Sequence, residues 1–125
     1  MRIVFWQNCL SPHQLPYIVR LMNDDRVDEV VVVAGTSISS DRKSMGWELP
    51  HYNGIEKCQV HVMPNDKLID SILSIRQEDS WHLFSGIRAD AFVFHCINMS
   101  MRYPLRRGMV TELPCTYDFK RNIEN

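Results

Sequence analysis

The chain has 125 residues, a formal charge of -1 from 14 basic and 15 acidic side chains, and 45% hydrophobic residues. That is one domain's worth of ordinary globular composition, with no room for a second full domain and no disordered or collagen-like bias. The near-neutral balance gives no sequence-wide attraction for nucleic acid, so no nucleic-acid partner is expected. The longest apolar runs, Val30 to Ala34 and Ala91 to Phe94, fall far short of the roughly 20 residues a spanning helix needs. The opening lacks the long apolar region of a signal peptide, which makes the cytoplasm the default compartment. Cys9, Cys58, Cys96 and Cys115 are scattered without close Cys or His spacing, so they read as unlinked thiols, with no metal site.

Ile3 to Trp6 is a short β-branched and aromatic run, expected as a strand buried on both faces. Ser11 lies three residues before Gln14, the spacing at which hydroxyl and amide each satisfy an orphan N–H at a helix start, with Pro12 at the first helical position. Leu15, Ile18, Val19 and Met22 form one apolar helical stripe. Pro16 offers a second solution, a helix starting near Pro16 with 11–15 as a loop. Asp24, Asp25 and Arg26 end the helix, and Glu29 to Gly35 is the least ambiguous strand, its unbroken apolar run pointing to a central parallel position.

The segment 36–57 has no sustained period, and only a short helical turn around Ser40 to Ser44 is expected there. Cys58 to Val62 alternates as a third strand. Asn65 or Asp66 then caps a helix carrying Leu68, Ile69, Ile72, Leu73 and Ile75. Ser80 to Phe84 is a fourth strand. Ala89 to Tyr103 contains a strand-like Phe92-Val93-Phe94, yet Phe92, Cys96, Met99 and Tyr103 recur at helical spacing over a length few strands reach, which predicts a helix stopped by Pro104. Gly108 to Glu112 is the fifth strand. Strands joined by helical crossovers predict an α/β, Rossmann-like three-layer domain over 1–125, with a mostly parallel sheet of five or more strands.

In such a sheet, ligands bind beyond the carboxyl ends of the strands, where strand order reverses. The loops so selected run from Gln7 to Gln14, Gly35 to Ser37, Ser85 to Arg88 and around Glu112. The first lacks the G-x-G-x-x-G of dinucleotide binding but offers Asn8, Ser11, His13 and Gln14, neutral groups suited to hydroxyl-rich ligands at a helix start. Across the crevice stand Ser85, Gly86, Arg88 and Glu112: glycine permits close approach, Arg88 can meet an anion, and Glu112 is aimed at the crevice by ending a strand. Phe84-Ser85-Gly86 is not a nucleophile elbow, which disfavours a serine hydrolase. His82, inside a strand, reads as a hydrogen-bonded core residue. His51, His61 and His95 fall on separate elements.

Phe5-Trp6-Gln7-Asn8 followed by Ser11-Pro12-His13-Gln14-Leu15-Pro16-Tyr17-Ile18 resembles the opening of bacterial glycosyltransferases of the two-Rossmann-domain (GT-B) architecture, in particular those of capsular and surface polysaccharide assembly. Arg42 through Gly46-Trp47, the run from His82 to Arg88, and Met109 to Glu112 resemble later segments of the same half in the same order. The resemblance implies the N-terminal, acceptor-side half of an enzyme that moves a sugar from a nucleotide sugar to a glycan or lipid-linked acceptor. It implies no resident cofactor. The donor is held mainly by a C-terminal domain whose paired-glutamate motif has no counterpart here, so this chain alone is expected to transfer nothing. Many relatives carry a second histidine two residues after the position of His82; here Phe84 stands there, and no catalytic residue is assigned. Peripheral membrane association of a full-length enzyme and a homodimer through an exposed cleft face are both compatible with this assignment. The competing expectation is a non-enzymatic α/β module that binds a protein partner.

Overall fold

The computed structural model describes residues 1–9, 14–36, 55–85 and 91–110. In chain order the elements are β1 (Arg2–Cys9), α1 (Leu15–Met22), β2 (Glu29–Thr36), β3 (Cys58–Val62), α2 (Asp66–Ser74), β4 (Ser80–Ser85), α3 (Ala91–Ser100) and β5 (Arg106–Val110), with single 3-10 turns at Ile55–Lys57 and Gln77–Asp79. The five strands form one sheet in the order β3-β2-β1-β4-β5, every neighbouring pair parallel. This is the α/β, Rossmann-like arrangement that the alternation of elements predicts. None of the described helices is long and apolar enough to cross a membrane.

Because side chains alternate across a strand, one sheet generates two cores. Ile3, Val30, Val32 and Ala34 face one way and pack with Ile18 and Met22 of α1. Val4, Trp6, Val31, Val33 and Phe84 face the other way, against Ile69, Ile72 and Leu73 of α2 and Val93, Cys96 and Met99 of α3. The run Val30 to Ala34 is buried throughout, since β2 lies between two strands and between two helical layers.

Helix α1 begins at Leu15 with Pro16 in its first turn, the second of the two starts the sequence allows. Gln14 stands at the N-cap with helical backbone and no side-chain capping bond, so the reciprocal cap expected of Ser11 and Gln14 is not what starts this helix. Asn65 is the cap of α2: its Oδ1 accepts from the Leu68 N–H at 2.9 Å. Ile75, expected on the α2 stripe, lies beyond the last helical residue and is 52% exposed. The chain turns sharply there, with Arg76 at φ 50°. Tyr103, expected as the last residue of this helix, also falls beyond its observed end at Ser100, and its hydroxyl donates to Asp70 Oδ1 at 2.6 Å, tying the segment after α3 to α2.

At the N-terminal ends of the strands, charges find partners within the fold. Arg2 is fully buried and donates from Nε to Ser80 Oγ at 2.7 Å and from one terminal nitrogen to the Ile72 and Ile75 carbonyls, each at 2.8 Å. It therefore satisfies carbonyls that the end of α2 would leave unpaired. Arg76 pairs with Asp28, Glu29 and Asp79, and the amino group of Met1 sits 3.1 Å from Asp28. These cations hold the carboxyl groups of Asp28 and Asp79 below the usual carboxylate range.

Candidate functional site

Strand order reverses between β1 and β4, so the crevice that the parallel-sheet rule selects opens beyond Cys9 and Ser85. The strands reach further into it than the sequence suggests. Pairing of Gln7 with Ala34 and of Cys9 with Thr36 extends β1 through Cys9 and β2 through Thr36, converting the start of two expected loops into strand. Thr36 Oγ1 donates to the Asn8 carbonyl at 3.0 Å and fastens the two strand ends together.

Of the eight residues expected to line the crevice, Asn8, Gln14 and Ser85 are described, and all three lie at this pole. Asn8 is exposed, with Oδ1 turned back to accept from the Cys9 N–H at 2.9 Å. The Ser85 hydroxyl is 3.4 Å from the Trp6 carbonyl, to which it donates across the β1–β4 boundary. Gln14 sits where α1 begins, and its Oε1 is buried without a hydrogen-bond partner among the described residues. Alternation sets Ser85 on the α1 face and Asn8 on the opposite one. Ser11, His13, Gly86, Arg88 and Glu112 lie outside the described residues, as does the turn expected around Ser40 to Ser44. The fifth strand starts two residues earlier than expected, at Arg106, because Arg106 pairs with Trp81; Thr111 and Glu112 are likewise outside.

The residue that sequence reasoning passes over is Gln7. The sequence places it in the loop after the first strand, yet it is a strand residue, 1% exposed, and neither Nε2 nor Oε1 has a partner among the described residues. A buried polar group left without a hydrogen bond costs about 1–3 kcal/mol, and native folds rarely carry one. In the sequence Gln7 simply follows an apolar strand run, which does not distinguish a buried strand residue from the first residue of a loop. No protein-family model, curated protein or solved structure matches this chain.

His82 belongs to the opposite core. Its Nδ1 accepts from the Trp6 indole N–H at 3.0 Å, and the two rings stack with centroids 6.0 Å apart. Trp6 in turn stacks on Phe84. The accepting Nδ1 assigns the proton of the neutral ring to Nε2. Burial, reinforced by the positive charges of Arg2 and Arg107, holds the imidazole pKa down at about 4. At neutral pH His82 is thus an uncharged packing group, as its position inside a strand predicts. His95 Nε2 lies 2.8 Å from Asp66 at the start of α2, away from both. Cys9, Cys58 and Cys96 are thiols, and burial pushes that of Cys58 up to about 11; Cys115 is outside the described residues.

The described residues around the ends of β1 and β4 offer amide and hydroxyl groups and the Cys9 thiol, with no carboxylate, lysine, arginine or histidine among them. Such a set can exchange hydrogen bonds with neutral, hydroxyl-rich molecules. It supplies no nucleophile–base pair.

Proposed function

We propose that the chain is the acceptor-side half of a glycosyltransferase that moves a sugar from a nucleotide sugar to a glycan or lipid-linked acceptor, with the donor held by a second domain. The observation that carries this is chemical: where the strand order of a parallel sheet reverses, the described polar groups are amides and hydroxyls beside the Cys9 thiol, with the Gln7 carboxamide and Gln14 Oε1 buried without partners. The resemblance of the segments around Trp6, His13 and Ser85 to GT-B enzymes supplies the reaction class. Ser11, His13, Gly86, Arg88 and Glu112 complete the proposed lining, and the acceptor sugar lies across the ends of β1 and β4.

Hydrogen exchange on the 125-residue chain tests this. A short neutral oligosaccharide is expected to slow exchange at the ends of β1 and β4, whereas a uridine diphosphate sugar alone leaves them unchanged. Turnover of a nucleotide sugar by this chain, or protection confined to the β3 or β5 edge, would refute it.

A further inference from the structure

Gln7 lies on the middle strand of the sheet, on the face that carries Ile3 and Phe5 and that α1 covers. Its register partner Ala34 has no polar side-chain atom, and the nearby Ser85 hydroxyl is directed at the Trp6 carbonyl. Gln14 Oε1, at the residue from which α1 starts, is a second buried acceptor without a partner at the same pole. No described cation or carboxylate hydrogen-bonds to these atoms. A primary carboxamide presents N–H donors and a carbonyl acceptor side by side in one plane. Its complement is therefore a neutral group that also places a donor next to an acceptor. A phosphate or carboxylate, which only accepts, would leave the Gln7 carbonyl unpaired.

We infer that Gln7 is the specificity-determining residue of the crevice, its carboxamide pairing with an adjacent donor and acceptor on a neutral sugar, supplied by neighbouring ring hydroxyls. This rests on the assignment of the crevice as a carbohydrate site. It also explains why an unpaired amide is kept in the core: the free chain is less stable for it, and the ligand supplies the missing partners. Gln14 Oε1 accepts from a further hydroxyl of the same sugar.

The test uses the full 15N-labelled chain, whose side-chain NH2 signals are followed while methyl glucoside, methyl N-acetylglucosaminide or uridine is added in millimolar excess. The Gln7 pair is identified by its loss in Gln7→Leu and Gln7→Met. The expected result is a saturable shift of that pair with either sugar, since both carry neighbouring ring hydroxyls. Gln7→Leu then weakens sugar binding by about tenfold or more and raises the Tm of the ligand-free chain by about 3–6 °C, because an apolar side chain of similar size removes the unpaired atoms. A lower Tm in both variants overturns the inference, as does a Gln7 signal that moves with uridine and with neither sugar. If the backbone amides of Asn8 and Ser85 move while the Gln7 side chain does not, Gln7 is not the reader and the carbohydrate site stands. If no signal at this pole responds to either sugar, both fail.

Discussion

Replacing His82 by asparagine should flatten the acid side of the stability profile. The imidazole has a pKa of about 4 in the fold against an ordinary value of 6.5. Between those values the unfolded chain takes up a proton that the folded chain refuses. Stability from this group is therefore complete above about pH 6.5 and is lost as pH falls toward 4. At about 1.4 kcal/mol per pH unit, the gap between 6.5 and about 4 corresponds to roughly 3 kcal/mol. Burial is the main cause, with Arg2 and Arg107 adding to it on the same face. Asparagine keeps an oxygen acceptor for the Trp6 indole N–H while removing the titration, so its smaller volume lowers stability by an amount that does not vary with pH. Urea unfolding followed by circular dichroism between pH 4 and pH 7.5 reads the difference between the two proteins. Asp28 and Asp79 titrate alike in both and cancel. A difference that stays constant across this window would refute the reasoning.

Three further outcomes follow from the packing. Arg2→Met leaves the Ile72 and Ile75 carbonyls unpaired and should lower stability by about 2–4 kcal/mol in urea unfolding. Gly35→Ala introduces a Cβ 2.7 Å from Phe92 Cγ and 2.9 Å from Phe92 Cβ, an overlap expected to cost about 1–3 kcal/mol; adding Phe92→Ala should cancel part of the loss, visible as non-additive Tm changes. Asn65→Ala removes the acceptor for the Leu68 N–H and should cost about 1 kcal/mol, with faster amide exchange limited to the first turn of α2.

Period and punctuation are local signals, and the elements that obey them were legible. Val30 to Ala34 announced a central strand, Cys58 to Val62 matched residue for residue, and the helical recurrence of Phe92, Cys96 and Met99 outweighed the strand-like triplet inside it. Ends were less legible because partners elsewhere set them. β1 continues to Cys9 only because β2 continues to Thr36 beside it, and Ile75 fits a helical stripe but falls after the chain has turned toward Arg76. The pole followed from topology, and of the residues expected there Asn8, Gln14 and Ser85 lie at it. The burial of Gln7 did not follow, since nothing in a single sequence tells whether a glutamine ending an apolar run points into solvent or lies unpaired within the fold.

The place of β1 in the sheet bears on how the chain assembles. Of the five strands it is synthesised first and soon meets β2, yet its other neighbour arrives much later: Arg2 and Ser80, which share a hydrogen bond, are 78 residues apart. A nascent chain leaving the ribosome therefore carries one unzipped side of the sheet's middle strand until β4 has emerged. Chaperone shielding during that interval, and slow refolding from dilution, are natural corollaries of making the middle strand before both of its neighbours.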